Sequence, residues 1–120
     1  MNPTTIRKVP KPGPSIRAYV PWGTPSSKYV EQFCWVAECG KTQIGYIRAI
    51  TDGRTTFLCD TFVHEGRRGE GIGTLLMQAM LSHGLISKTT IVLLTAEATG
   101  FYLKFGFTPR QAMIRRPDAA

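Results

Sequence analysis

The segment VHEGRRGEGIGTLL, residues 63–76, constrains the fold of this chain more than any other stretch. Three glycines fall within five residues, directly after Arg67 and Arg68, and leucine and methionine follow them. Glycine is unfavourable inside a helix or a strand, so this spacing predicts a turn that leads from a strand into a helix. A helix start has unpaired backbone N–H groups, and small residues allow an anion to approach several of them at once. The segment therefore predicts a phosphate-binding turn, with a plain connecting turn as the alternative.

The apolar residues on either side of this turn predict the surrounding elements. Residues 34–40, 41–51 and 55–63 are rich in aromatic and β-branched residues, which predicts three strands of an antiparallel meander, the third of them central. After the glycines the apolar residues recur at helical spacing. They predict an amphipathic helix that Gly84 ends, with a buried stripe of Ile72, Leu75, Leu76, Ala79 and Met80.

The remaining segments complete the predicted fold. Residues 89–96 predict a buried strand, residues 97–106 a short helix closed by Gly106, and residues 107–116 a last strand. The fold class is therefore α/β (α+β), with a mixed, mostly antiparallel sheet and flanking helices.

The N-terminal part predicts the domain limits. Residues 1–14 contain four prolines and three basic residues, which predicts a flexible, basic lead. Residues 15–120 predict a single domain that begins with a short strand at 15–20 and a short helix at 27–33.

Charge and cysteine content exclude several classes of protein. The net charge of +7 comes mostly from the two ends of the chain, which argues against a nucleic-acid patch on the folded body and leaves an anionic ligand or partner open. The dinucleotide-binding pattern GxGxxG is absent, because the sixth position counted from Gly69 is Thr74. No apolar run is long enough for a membrane helix, and no secretory signal is present, so we expect a cytoplasmic protein. Three cysteines without a CxxC motif predict free thiols and no metal site.

Two motifs resemble signatures of the GCN5-related N-acetyltransferases, the GNAT family. Arg68, Gly71 and Gly73 match the family's acyl-CoA loop, Gln/Arg-x-x-Gly-x-Gly/Ala. The segment AEATGFYLKFGF, residues 96–107, is similar to the second signature, in which an alanine precedes a Phe-Tyr pair and Gly-Phe follows. The two motifs cover roughly residues 55–107, and they resemble a bacterial subgroup whose substrates are mostly unassigned.

The resemblance implies a donor, a fold and a set of site residues. Acetyl-CoA would be the acyl donor, with no metal, and an amine would be the acceptor. The pyrophosphate would lie over the backbone N–H groups from Arg68 to Gly73, and the pantetheine arm would pair with backbone beside the end of the central strand, where it diverges from the following strand. Tyr102 would protonate the departing thiolate, which a phenol can do. The implied cofactor-binding residues are Phe62, Val63, His64, Arg67, Arg68, Gly69, Glu70, Gly71, Ile72, Gly73, Thr74, Thr95 and Tyr102. Thr95 stands where the family often has asparagine.

Asp60 is the candidate general base. A carboxylate is out of place in the apolar strand FLCDTFV, so it either faces the cleft, where it would accept a proton from the amine, or is held by partners inside the fold.

The acceptor is left open by the sequence. A small polyamine, an antibiotic, an amino acid and a protein lysine are all compatible with it. A non-catalytic acyl-CoA-binding or sensing module is the first alternative function, and a nucleic-acid-associated protein that uses the basic ends is the second. The part ahead of the meander is short for the family. The acceptor side is therefore either open, completed by a second subunit in a homodimer, or built for a large acceptor.

Overall fold

Five strands form one open, mixed sheet in the part of the chain that the computed structural model describes, residues 4–9 and 31–118. The strands follow one another across the sheet in sequence order, and two helices accompany them. The strands are β1 (Thr4–Val9), β2 (Glu31–Cys39), β3 (Thr42–Thr51), β4 (Thr55–Val63) and β5 (Thr90–Val92), and the helices are α1 (Ile72–Leu81) and α2 (Thr99–Leu103). This architecture confirms the predicted fold class.

The predicted meander of β2, β3 and β4 is confirmed. Adjacent strands pair antiparallel over most of their length. Gly53 has φ +91° in the turn before β4, and the Asp52 carboxylate accepts hydrogen bonds from the N–H groups of Arg54 and Thr55 at 2.8 and 2.9 Å. The bond from Thr55, followed by that from Arg54, lowers the pKa of Asp52. Local turn chemistry thus sets the β3–β4 connection.

The N-terminal strand β1 corrects the prediction of a flexible lead. Residues 4–9 pair antiparallel with β2, from Thr4–Cys39 to Val9–Cys34, and Ile6 packs against the core. Pro3 and Pro10 flank this strand without interrupting it, which is where proline is tolerated. The remainder of the lead, the strand at 15–20 and most of the helix at 27–33 lie outside the described residues. Residues 31–33 of that predicted helix begin β2 instead, because they pair with β3. The domain limits stay a prediction.

Helix α1 packs one face on the sheet and forms the core there. Its buried residues are Ile72, Leu76, Met77 and Met80. Leu75 was predicted to be buried but is 41% exposed, and Met77 takes its place in the core. The helix ends at Leu81, with the N–H of Ser82 donating to the carbonyl of Gln78 at 3.1 Å, so Gly84 is not the residue that stops it.

The C-terminal part is less regular than predicted. Strand β5 is only three residues long and pairs parallel with β4, which has neighbours on both sides as predicted. Val92 is 43% exposed, so the expectation of a buried strand is wrong there. Residues 107–116 form no strand, and Pro109 lacks the N–H that a strand ladder would use at that position. Helix α2 ends at Leu103, so Gly106, with φ +86°, lies in the turn beyond the helix and is not its last residue as predicted.

Within the described residues, no helix combines the length and the hydropathy needed to cross a bilayer. The histidine, cysteine and acidic side chains of those same residues form no cluster that could hold a metal ion.

Candidate active site

The glycine-rich turn leads into α1 with an open helix start. A single 3₁₀ turn, Glu65–Arg67, follows β4, and Gly69 and Gly71 adopt positive φ angles of +85° and +82°. Gly71 is the N-cap of α1 and has no side chain that could bond the first N–H groups. No side chain therefore caps those donors, and the anion site predicted there stays a prediction.

The two arginines of the turn are engaged within the protein. The Arg67 Nε atom lies 3.1 and 3.0 Å from the two carboxylate oxygens of Glu70, and this bond is the main cause that raises the pKa of Arg67. The Arg68 Nε atom donates to the carbonyl of Val63 at 3.1 Å. Arg68 therefore ties the turn to the end of β4.

A cavity of about 560 Å³ lies between this turn, the end of β4 and α2. It is lined by ten of the thirteen residues that the sequence proposed for cofactor binding: Phe62, Val63, Arg67, Arg68, Gly69, Gly71, Ile72, Gly73, Thr74 and Tyr102. A Cβ atom added at Gly73 would lie 3.3 Å from the Phe101 ring, so this glycine allows α1 to approach α2.

Three of the predicted binding residues lie elsewhere. The His64 Nδ1 atom accepts the N–H of Gly66 at 3.3 Å and caps the 3₁₀ turn, and Glu70 holds Arg67. The Thr95 hydroxyl accepts the N–H of Ala98 at 3.0 Å, just before α2. Thr95 lines a second cavity of about 780 Å³, bordered by β5, α2 and residues 105–112.

The strands β4 and β5 diverge beside the first cavity. Their pairing runs from Thr55–Thr90 to Phe57–Val92, and beyond Phe57 no further pair of these strands occurs in the described chain. The last residues of β4 line the cavity. The resemblance implied a pantetheine arm where these two strands diverge, and that assignment stays a prediction.

Tyr102 lies on α2 and borders both cavities. Its ring packs edge-on against Phe101 and Phe107, with centroids 5.1 and 5.8 Å apart. Its hydroxyl donates to the Thr61 Oγ1 atom at 3.4 Å. The phenol thus has a fixed ring and a polar contact on β4.

Asp60 is not among the residues that line the first cavity. Its Oδ2 atom accepts from Arg48 Nε at 2.8 Å, and the Arg48 Nη1 atom donates to Gln32 Oε1 at 3.1 Å. The Arg48 side chain is only 3% exposed and that of Asp60 is 22% exposed. Of the two readings left open for this carboxylate, the structure shows the partner inside the fold.

A β-bulge explains where Asp60 points. Arg48 pairs with Asp60 and Ala49 with Leu58, so Cys59 is an extra residue in β4. Leu58 packs in the core beneath α1, whereas Asp60 lies opposite Arg48 on the other face, near Cys34 and Tyr46. Cys34 and Tyr46 are only 1% and 5% exposed, and this burial raises the pKa of the Cys34 thiol to about 11 and that of Tyr46 to about 12.

A family model described as an acetyltransferase (GNAT) domain matches residues 31–109. The chain belongs to the GNAT family.

Solved structures of GNAT proteins have the same fold. A GNAT-family structure from Xanthomonas campestris pv. campestris shares 30% identity with a TM-score of 0.66, covering 71% of this chain and 64% of that one. A GNAT family protein from Streptococcus pneumoniae has a TM-score of 0.75 at 24% identity, covering 96% and 98%. A structure of AAC(6′)-Iy with the bisubstrate analogue CoA-S-monomethyl-acetylneamine has a TM-score of 0.65 at 14% identity, covering 98% and 99%. None of the curated proteins matches the chain.

Five residues at these sites were missed by the sequence. Thr61, Ala98, Phe101 and Lys104 line the first cavity, and Arg48 holds Asp60. A buried arginine on the strand before Asp60 is a signal that could have been used, because buried charges are paired.

Proposed function

We propose that this GNAT protein transfers an acetyl group from acetyl-CoA directly to the nitrogen of an amine. The observation that supports this most is that three elements meet at the first cavity. They are the glycine-rich start of α1, the end of β4 and Tyr102. Each of these three elements matches one part of an acyl-CoA thioester.

The start of α1 would bind the pyrophosphate. The N–H groups of the first helical turn point to a site without a capping side chain, and the helix dipole favours negative charge there. The side chain of Arg68 would remain on the Val63 carbonyl and hold the turn against β4. The pantetheine arm would run beside Phe62 and Val63, where β4 and β5 have diverged.

The reaction would proceed without a covalent enzyme intermediate. The amine nitrogen attacks the thioester carbonyl, the carbon–sulfur bond breaks, and its electron pair goes to sulfur. Tyr102 then gives its proton to this sulfur. General acid catalysis of this kind raises the rate of a reaction about 10²–10⁴-fold. The acceptor nitrogen releases one proton, and the role of Asp60 as its base stays a prediction.

The fold comparison supports direct transfer. A structural neighbour, AAC(6′)-Iy, binds a ligand in which CoA and an acceptor are joined. A fold that accommodates both substrates together suits an attack on the bound thioester by the bound amine.

A matched pair of glycine variants tests the loop. Gly71 and Gly53 have φ angles of +82° and +91°, and in both cases a Cβ atom would meet nothing within 4 Å. Valine strains the backbone similarly at both positions, but only Gly71 lies at the start of α1. We expect Gly71→Val to weaken CoA binding about 100-fold in calorimetry, because bonds to a charged group contribute about 1.5–3 kcal/mol each.

The Gly53→Val control should keep the CoA affinity. Equal CoA affinity in the two variants would contradict the assignment of the phosphate site to the turn. CoA release from acetyl-CoA across a panel of amines then separates the enzyme from a binding module, because a sensor would bind CoA and release none from acetyl-CoA.

A further inference from the structure

We propose that Thr61 is a positioning residue that holds the Tyr102 oxygen beside the reacting sulfur and stabilises this oxygen by a hydrogen bond after the phenol has lost its proton. This inference rests on the proposed function, because it assigns a partner to the proposed general acid. Thr61 matches no motif in the sequence and becomes visible only through its place on β4.

The contact between the two hydroxyls is specific. The Tyr102 O–H donates to Thr61 Oγ1 at 3.4 Å, and both residues line the cavity and are half-buried. The Tyr102 ring packs against Phe101 and Phe107 and against the core. Among the described residues, the Thr61 hydroxyl is therefore the hydrogen-bond partner that holds the phenol oxygen in place.

Threonine suits this position for two reasons. Its β-branched side chain has few rotamers on a strand, so its hydroxyl is held in place. The bulge at Cys59 turns Thr61 toward the face that carries α1 and α2, opposite to Asp60.

The hydrogen bond can reverse its direction during the reaction. A threonine hydroxyl has one donor hydrogen and two acceptor lone pairs. In the resting protein Tyr102 donates and Thr61 accepts. When the carbon–sulfur bond breaks, the phenol proton moves to sulfur, which leaves as a thiol, and the phenolate then accepts the Thr61 hydrogen. Solvent returns a proton to the phenolate, and the proton released by the acetylated nitrogen goes to solvent.

Four variants test this reversal: Thr61→Val, Thr61→Ser, Tyr102→Phe and the double variant Thr61→Val with Tyr102→Phe. CoA release is measured with an amine panel and also with water as the only acceptor, because hydrolysis of acetyl-CoA needs the same protonation of sulfur. Thr61→Val should lower kcat about 10–100-fold and leave KM for acetyl-CoA and the CoA affinity within about twofold, as expected for a bond to a charged group. Thr61→Ser should stay within about threefold of the unmodified chain.

The double variant provides the decisive comparison. In the Tyr102→Phe background, Thr61→Val should have no further effect, since the hydroxyl that it serves is gone. An equal loss in both backgrounds, or a Thr61→Ser variant as slow as Thr61→Val, would show a packing role and overturn the inference. The absence of CoA release from the unmodified chain would instead overturn the proposed function, and this inference with it.

Discussion

The two faces of β4 use adjacent polar residues in opposite ways. Asp60 lies on the face of Cys34 and Tyr46, where it forms an ion pair with the buried Arg48. Thr61 lies on the face of α1 and α2, where it accepts a hydrogen bond from Tyr102 in the cavity. The first polar contact stabilises the fold, and the second belongs to the candidate active site. The charged residue of the pair, Asp60, is therefore not the one nearest the proposed chemistry.

The difference follows from the surroundings of each side chain. A guanidinium as deeply buried as that of Arg48 requires a partner, because an unpaired buried charge destabilises a protein by several kcal/mol. Thr61 and Tyr102 border open space, where a hydroxyl can exchange partners. Variants on the two faces should consequently separate stability from turnover.

The largest expected effect is a loss of turnover, on the face of β4 that carries α1 and α2. Tyr102→Phe should lower turnover about 10²–10⁴-fold and leave the melting temperature nearly unchanged, because the ring and its packing remain. Tyr46→Phe removes the equivalent hydroxyl from the other face and should leave turnover unchanged. Steady-state CoA release and thermal unfolding measure both quantities. Full activity of Tyr102→Phe on a confirmed acceptor would remove Tyr102 from the mechanism.

On the opposite face, Arg48→Met should destabilise the fold by about 3–5 kcal/mol, because it leaves Asp60 without its cation. The control is Arg7→Met, since the Arg7 side chain is 57% exposed and its ion pair with Glu38 lies at the surface. Loss of that exposed pair should change the stability by less than about 1 kcal/mol. Urea unfolding of the two variants gives the comparison, and equal losses would contradict it.

Asp60→Asn separates the two readings of this carboxylate. Asparagine still accepts a hydrogen bond from Arg48, so we expect a moderate destabilisation of about 1–3 kcal/mol. Turnover of the folded variant should be maintained, and it should not depend on high pH to restore it. If Asp60 is the base, turnover falls instead and is partly restored at high pH, where more of the acceptor amine is neutral.

The smallest effect is the alkaline pH dependence of stability. Burial raises the pKa of Cys34 from 9.0 to about 11 and that of Tyr46 from 10.0 to about 12, so the folded state keeps protons that the unfolded state loses. The stabilisation is complete below pH 9 and decreases as the pH rises toward these values. The slope is at most about tenfold in the folding equilibrium constant per pH unit and per group.

Urea unfolding at pH 8, 9 and 10 measures this slope, and Cys34→Ala should flatten its first part. A slope that is the same with and without the thiol would show that the face around Cys34 is wetter than the structure indicates.

The sequence by itself determined the elements whose causes are local. The richness in aromatic and β-branched residues predicted β2, β3 and β4, and the Asp52 turn between β3 and β4 followed from its own side chain. The helical period predicted α1, and the glycines before it predicted the open helix start at Gly71. Tyr102 was placed at the cavity by the resemblance alone, since nothing in its neighbours along the chain indicates which face of α2 meets β4.

Only the tertiary structure decided the features that depend on distant partners. Residues 4–9 became β1 because β2 offered a free edge, although the prolines around them indicated an irregular lead. Strict alternation from Leu58 would place Asp60 beneath α1 and Thr61 on the other face. The extra residue at Cys59 reverses this order, and the bulge exists only in the pairing of β4 with β3. The face that each side chain occupies is therefore a property of the register between two strands, which the residues of one strand do not determine.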